Sequence, residues 1–318
     1  MVNVTVVIPN YNGIAYLPDC LDALRRQRYS GFDTIVVDNG STDGSQELLD
    51  KDYPEVKVIR LPKNQGFCGA VNVGIRACKT PFVILLNNDT EAAPGFVGGL
   101  LQAIQKDARR FSCSAKMVQF QDRERIDDAG NYYTALGWAY ARGKGEPQRD
   151  YCRERKIFAS CAGAAIYRRD ILERLGCFDE AHFAYLEDVD VGYRARIQGY
   201  VNVFAPKAVV CHVGSATTGS RYNSFKVQYS ARNNIYLIYK NMPFFQIVLN
   251  LPFLAVGFLI KFLFFVKKGL GREYISGLLQ GVKICEKNKK VRFSAENLWN
   301  YCKIQWELWV NIFRTLTK

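Results

Sequence analysis

The chain has 318 residues, 48% of them hydrophobic, with 43 Lys and Arg against 30 Asp and Glu and a formal net charge of +13. That length suits one large domain or a domain with an appendage, and the apolar content is ordinary for a globular protein. Ten cysteines without a CxxC pair argue against a disulfide framework or a zinc site, and read as reduced, mostly buried thiols in a cytosol-facing protein.

Residues 1–8 read as a strand and lack a signal-peptide layout. The apolar run at 4–8 leads into Pro9-Asn-Tyr-Asn-Gly13, and a helix follows with Leu17, Leu21 and Leu24 on one face. Residues 32–37 form a second strand that becomes wholly apolar, as a strand buried on both faces does. It runs into the turn-rich Asp38-Asn-Gly-Ser-Thr-Asp-Gly-Ser45 and a helix through Leu49. A third strand at 56–61, a helix opened by residues 64–74 and a fourth strand at 82–86 ending in Asn87-Asn-Asp-Thr90 complete the first half. Strands alternating with helices predict an α/β fold with a doubly wound, mostly parallel sheet and helices on both faces. Ligands bind such sheets at the carboxyl ends of the strands, where each of these polar loops falls.

A helix is expected over 94–108 and a strand over 111–118, followed by hairpins and loops in the Gly- and Tyr-rich stretch 119–155. Residues 158–167 read as a small-residue strand that lets a backbone or substrate come close, and 168–175 as a short helix. The stretch 177–190 gathers Asp179, Glu180, Glu187, Asp188 and Asp190 among aromatic neighbours, and the helix after it stops at Gly199. Glu187 and Asp188 open that helix, where its dipole favours ionised carboxylates. Asp188 could simply cap the helix, yet capping does not explain a second acid beside it. A carboxylate at the rim of a semi-apolar pocket can take a proton from a hydroxyl. Residues 201–205 return to the sheet edge, and 209–220 end in a loop of small residues, a natural mobile flap.

The charge is lopsided. Residues 1–217 carry 27 basic and 26 acidic side chains, whereas 218–318 carry 16 and 4. Nucleic acid or an anionic membrane could attract such a block, and what lies between the charges decides. Residues 225–240 are helical, 244–266 are apolar but broken by Asn250, Pro252 and Lys261, and an amphipathic helix at 294–316 holds Trp299, Trp306 and Trp309. A spanning helix wants about 20 uncharged apolar residues, so this region reads as lying in, or dipping into, a cytoplasmic leaflet, with no nucleic-acid partner. Packing on the core or on a second subunit, as in a homodimer, is the alternative.

Four loops can carry chemistry. Asp38 can accept from a ring or sugar donor, Tyr11 can stack, and Gly40 permits close backbone approach. Asp89 offers a hard oxygen for Mg²⁺ or Mn²⁺ bound through phosphates, although Asn-Asn-Asp is also an ordinary turn. His212, one of two histidines, is either a core residue or the completion of a metal site. Residues 8–14 hold neither the basic phosphate loop of a nucleotidyltransferase nor the GxGxxG of a dinucleotide oxidoreductase.

Pro9-Asn-Tyr-Asn12, Asp38-Asn-Gly-Ser-Thr-Asp43, Asn64-Gln-Gly-Phe67 with Asn72 and Gly74, Leu86-Asn-Asn-Asp89, the run 163–169, the run 176–179, Phe183–Asp190 and His212-Val-Gly214 together resemble family 2 glycosyltransferases of the GT-A fold, in the bacterial rhamnosyltransferase-like branch. The resemblance covers residues 2 to about 220, and the C-terminal third matches only through Arg232-Asn233 and the apolar run. It implies a catalytic domain at 1–220, with a nucleotide-binding half at 1–100 and an acceptor-binding half at 101–220, and a basic, apolar helical region at 221–318. Pro9, Asn10, Tyr11, Asp38, Gly40, Gly66, Asn72 and Asn88 would serve the nucleotide, and Asp89 and His212 a Mn²⁺ or Mg²⁺ ion. Asp188 matches the inverting general base with Glu187 beside it, and Gly163, Tyr185 and Asp190 fall on the acceptor side. One departure is Asn87, which stands where the family's first metal-motif acid is usual and leaves Asp89 as that motif's only charge. The donor implied is dTDP-rhamnose, with UDP-sugars behind it, and the acceptor a lipid-linked or polysaccharide intermediate at the cytoplasmic face of the cell membrane. A catalytically silent sugar-nucleotide-binding module at the membrane is the alternative.

Overall fold

A computed structural model describes residues 2–214 and 222–316, so the expected loop lies outside the described residues beyond Gly214. The elements in order are β1 (Val4–Asn10), α1 (Leu17–Arg25), β2 (Phe32–Asp38), α2 (Ser45–Asp52), β3 (Lys57–Arg60), α3 (Gly66–Ala77), β4 (Phe82–Leu86), β5 (Thr90–Ala92) and α4 (Phe96–Gln105). Then come β6 (Arg110–Gln119), β7 (Ile126–Asp128), β8 (Asn131–Tyr133), β9 (Ala139–Ala141), β10 (Arg155–Ile157), β11 (Ala164–Arg168), α5 (Arg169–Arg174), α6 (Glu187–Ile197) and β12 (Val201–His212). Four longer helices close the chain: α7 (Ser224–Asn241), α8 (Phe244–Lys267), α9 (Gly271–Lys283) and α10 (Leu298–Leu316).

Side-chain alternation along the strands explains the layers. Val4, Val6 and Ile8 of β1 pack on Leu17 and Leu21 of α1 and Phe96 and Leu100 of α4. Val7, with Val83 and Leu85 of β4, turns to the other face, against Val71 and Ile75 of α3 and Leu172 of α5. Both faces are thus covered, and β4 is buried at all five positions. The main sheet runs β10-β12-β6-β11-β4-β1-β2-β3, with β5 beside β12 and β7 beside β6. β3, β2, β1 and β4 are parallel. β11 enters antiparallel between β4 and β6. The doubly wound, mostly parallel sheet is as the alternation predicts.

Register sets the polar edge. Asn10 pairs with Asp38 across β1 and β2, and β4 ends at Leu86 beside them, so the 10–13, 38–45 and 87–89 loops leave the same edge.

Two local expectations are corrected. Residues 158–163 are not strand: β11 starts at Ala164, and the preceding turn stands against the end of β4, where Gly163 O accepts from Asn87 N at 2.8 Å. Residues 201–212 form one strand inside the sheet, between β6 and β10, not a short edge segment. The register shift between Ala205 and Val209 absorbs Pro206, which cannot donate to a ladder, and His212 becomes the last residue of the strand.

The C-terminal helices share a core with the acid-bearing segment. Val189, Tyr193 and Ile197 of α6 pack with Leu237 of α7, Leu254 of α8 and Tyr301, Ile304 and Leu308 of α10. Beneath α6 lies a buried ion network: Arg194 donates twice to Asp190, at 2.7 and 3.0 Å, and Lys240 bridges Asp190 at 3.0 Å and Asp179 at 2.7 Å. Asn241 donates to the other Asp190 oxygen at 2.8 Å. Burial opposes the ionised form of both acids. At Asp179 the Lys240 charge and hydrogen bond, with the Tyr236 hydroxyl, reverse this and hold the carboxyl down at about 2. At Asp190 the charges of Arg194 and Lys240 hold it well below the usual range.

Asp190→Ala takes the carboxylate partner from buried Arg194 and leaves Lys240 with Asp179 alone, and should cost about 3–5 kcal/mol, read as a lower urea midpoint. Because both carboxyls are depressed in the folded state, their stabilisation is complete above the unfolded value of about 3.9 and drains as pH falls towards 2. The thermal midpoint should therefore drop below pH ~4, and drop less steeply in Lys240→Met. An equal slope in the two proteins would dissociate the network from acid unfolding.

Candidate active site

The edge loops first lock one another. Asn10 Nδ2 donates to Asp38 Oδ2 at 3.1 Å, and Asn88 Nδ2 donates to Asn10 Oδ1 at 2.7 Å, joining the ends of β1, β2 and β4. Asp38 Oδ1 also accepts from Ser41 N at 3.0 Å and Gln46 Nε2 at 2.8 Å. Asp38 is wholly buried, and its hydrogen bonds shape the loop at this edge. Pro9 and Gly40 are partly exposed, and Tyr11 is exposed at the same edge. Gly66, at φ 76°, is where a side chain would run into the Phe183 ring and carbonyl. Asn72 is also corrected: its amide clamps the Phe178 backbone, donating to the carbonyl at 2.7 Å and accepting from the N–H at 3.1 Å.

Asp89 follows the end of β4 and meets His212 at the end of β12, Nε2 to Oδ1 at 3.3 Å. His212 Nδ1 is held by Asp127 of β7 at 2.7 Å, and Asp127 pairs with Lys144 at 2.6 Å. Burial alone would lower the His212 pKa, but the hydrogen bonds and charges of Asp127 and Asp89 raise it to about 9. Asp127 answers in kind: burial pushes it up, while His212 and Lys144 bring it down to about 2. A carboxylate fixing the far nitrogen of an imidazole is the arrangement that orients a metal-binding histidine. Asp89 and His212 would fit a divalent ion only with the imidazole deprotonated, the ion then taking the place of the Nε2 proton that now faces Asp89. Among the described residues no group of three or more His, Cys, Asp or Glu converges as a complete metal cage.

Glu187 and Asp188 are the first two residues of α6. Asp188 Oδ2 accepts from Asn131 Nδ2 at 2.6 Å and Oδ1 from Val189 N at 2.7 Å, and the Ala162 N–H also favours its ionised form. Burial raises both carboxyls, correcting the expectation that the helix dipole holds both ionised. Glu187 is raised further, by burial and then by the Asp188 charge, and its Oε2 has no partner among the described residues. Asp188, with its donors, ionises first, and Glu187 carries the proton. Asp128, raised by burial to about 7, stands near Asp188 and accepts from Gly130 N at 2.6 Å.

Asp89 and Asp188 belong to one ring of contacts. On one side Asp188 takes the Ala162 N–H, and Gly163 presses on Asn87, whose Nδ2 lies 2.9 Å from where a Gly163 Cβ would stand. On the other, Asp89 contacts His212, His212 contacts Asp127, and Asn131, just past Asp127 and Asp128, reaches Asp188. Tyr185 is half-exposed at φ 73° beside this ring, while Asp190 is corrected from acceptor contact to the buried network. Asp127, Asn131 and Asp128 escaped the sequence reading, since short polar strands in a charged loop look like solvated hairpin. Asn233, read from the sequence only as part of the family resemblance, has a clamping role that the sequence did not show: its Nδ2 donates to the carbonyls of His182, Ala184 and Tyr185 at 2.7–2.9 Å.

A family model described as "Glycosyl transferase family 2" matches residues 5–176. An N-acetylglucosaminyl-diphospho-decaprenol L-rhamnosyltransferase of Mycobacterium tuberculosis is 27% identical over 242 residues, covering 67% of this chain and 77% of that protein. The solved structure of GalNAc-T7 with UDP, GalNAc and Mn²⁺ aligns with a TM-score of 0.62 at 18% identity, over 75% of this chain and 48% of that one. The structure of S. aureus TarS 1-349 with UDP-GlcNAc aligns with a TM-score of 0.59 at 17% identity, over 96% of this chain and 89% of that one. At such identities the structural likeness establishes the fold, the GT-A arrangement.

Asn131→Ala removes a donor to the ionised carboxylate and should move Asp188 titration to higher pH, followed by its ¹³Cγ shift. An unmoved midpoint would mean that Asn131 does not tune this acid.

Proposed function

The chain belongs to glycosyl transferase family 2, and from that membership we propose that it is a metal-dependent, inverting enzyme. It moves a sugar from a nucleotide diphosphate to a hydroxyl of a lipid-linked or polysaccharide acceptor in cell-surface glycan synthesis, at the cytoplasmic face of the membrane. The observation that carries this reading is the split acid pair: Asp188, held by three donors, stands in the same ring of contacts as the Asp89–His212–Asp127 group. Rhamnose from dTDP-rhamnose is the proposed donor, supported by the mycobacterial relative, with UDP-hexoses next.

The nucleotide half is proposed at 1–100, where Pro9, Tyr11 and Gly40 line the open edge over the Asn10–Asp38–Asn88 lock. The acceptor half is proposed at 101–220, with Gly163 and Tyr185 beside the base. Asp188 takes the proton of the acceptor hydroxyl as its oxygen forms a bond to the anomeric carbon. The bond from that carbon to the diphosphate breaks on the opposite face, the electron pair leaves with the diphosphate, and the configuration inverts. Glu187, protonated and shielded, adds no second negative charge beside the base. A Mn²⁺ or Mg²⁺ ion held by Asp89 and His212 would neutralise charge on the departing diphosphate.

Asp188→Asn should retain donor binding and lower turnover by about 10²–10⁴-fold. In the wild type, kcat/KM should rise with pH through a midpoint above the ordinary aspartate value of about 3.9, since only the ionised base works. Near-normal turnover in the variant would remove Asp188 from the role. Asp89→Ala should abolish the response to added Mn²⁺ and weaken nucleotide binding, measured by calorimetry; an unchanged metal response would count against the ion site.

A further inference from the structure

Resting on the membrane-surface location proposed above, we infer that α8 lies in the plane of one leaflet instead of crossing the bilayer, and that a cation-lined cavity at its amino end takes the phosphate of an anionic lipid headgroup. By length and composition alone, with 24 residues and a mean hydropathy of 2.2, α8 could span. Its packing decides otherwise. One narrow stripe is fastened to the globular body: Tyr193 donates to Gln246 at 2.8 Å, Asn250 and Gln305 exchange two hydrogen bonds at 2.7 and 2.8 Å, and Trp138 Nε1 donates to Gly257 O at 3.1 Å. Farther along, Phe258, Phe262 and Phe265 pack on Val227 and Ala231 of α7 and Tyr274 of α9. The attachments run from 246 to 265, about 28 Å at 1.5 Å per residue, close to the thickness of a hydrocarbon core. Standing α8 upright in a bilayer would carry the ends of α6, α7 and α10 and their buried polar groups into lipid.

The polar positions of α8 obey the same geometry. Gln246, Asn250 and Lys261 all fall on the attached stripe, and Lys261 is half-buried there. The outer face carries Phe244, Val248, Leu251, Val256, Leu259 and Leu263, all exposed and with no charge among them. α9 exposes Ile275, Leu279 and Val282, and α10 exposes Trp299, Trp306 and Phe313 at heptad spacing. Apolar faces of this extent on a soluble surface mark a binding surface, and aromatic residues beside cations suit the headgroup boundary.

Charge selects the occupant. The cavity, about 610 Å³, is lined by Pro243, Phe244, Lys287, Lys290, Arg292 and Phe293. Among the described residues none of Lys287, Lys290 or Arg292 is in an ion pair, and Lys290 rests over the Tyr239 ring at 4.8 Å. Phe244 joins the cavity rim to the apolar face, so a phosphate among the cations leaves acyl chains along α8. Lys267, Lys268 and Arg272 supply positive charge at the other end of the helix. Cations at both ends suit a helix whose ends sit at one headgroup level, and 16 basic against 4 acidic residues in 218–318 favour an anionic leaflet over a second copy of this basic region.

Full-length protein is mixed with vesicles of phosphatidylcholine alone or with added phosphatidylglycerol, and binding is read by co-sedimentation. Binding should depend on phosphatidylglycerol and weaken with salt. Joint replacement Lys287→Gln, Lys290→Gln and Arg292→Gln should weaken it by roughly 100-fold. The salt dependence of the wild type tests the charge requirement without any substitution. In a Cys152→Ser, Cys302→Ser background, a membrane-impermeant thiol reagent added outside should label Glu286→Cys, which is exposed outside the cavity lining, and Lys268→Cys alike, because both ends of α8 face the same side. Protection of one of them in bound protein, or binding indifferent to phosphatidylglycerol and to the triple replacement, overturns this seating while leaving the membrane location standing. Failure to bind either vesicle removes the location itself, and a lipid-indifferent dimer in solution gives the face to a second copy; both overturn the proposal.

Discussion

One side-chain amide bears much of the site. Asn233, buried in α7, donates to three carbonyls of the segment before α6, those of His182, Ala184 and Tyr185, while Arg232 donates to the carbonyls of Ala181 and His182 at 2.7 and 2.8 Å. Three of the five non-glycine residues with positive φ among the described residues, Phe183, Tyr185 and Leu186, lie in this segment. Each such conformation costs on the order of 1–3 kcal/mol, and buried carbonyls without donors would add to that. The contorted loop persists because α7 satisfies it, and it delivers Glu187 and Asp188 to the sheet edge at an angle that an ordinary capped helix start would not give.

The same helix ties the acid pair to the C-terminal region. Lys240 and Asn241, about two turns beyond Asn233, close the Asp179–Asp190–Arg194 network below α6. His182 between them is buried, and desolvation holds it down at about 4, so it packs as a neutral ring on Tyr236. The helices after residue 221 are therefore part of what holds the acids. A surface that seated α8 at a leaflet would also set the orientation of the acid-bearing edge, because α6, α7, α8 and α10 share one core.

Burial separates two neighbouring carboxyls that the chain order makes look alike. Asp188 has hydrogen-bond donors from three segments, whereas Glu187 has an oxygen with none among the described residues. Two identical charges side by side in a dry site cannot both be retained cheaply, and the better-solvated one keeps its charge. Asp127 has a comparable part on the far side of the ring, fixing the imidazole that faces Asp89.

Sequence by itself determined the sheet, the edge and the family. Apolar runs buried on both faces, helical spacing of leucines and polar loops after β1, β2 and β4 are local signals, and each survives in any well-packed arrangement of the chain. It also determined that the last hundred residues are basic and apolar. Only the tertiary structure decided which polar residues are clamps and which face outward. Asp38, Asn72 and Asp190 satisfy partners inside the protein, while Asp127, Asn131 and Asn233 reach the site from segments far away in sequence. It likewise turned the polar stripe of α8 inward. The physical reason is that a polar side chain is defined by what satisfies its hydrogen bonds, and each of these residues has a partner 28 to 106 residues distant, a pairing that leaves no periodic trace in the chain.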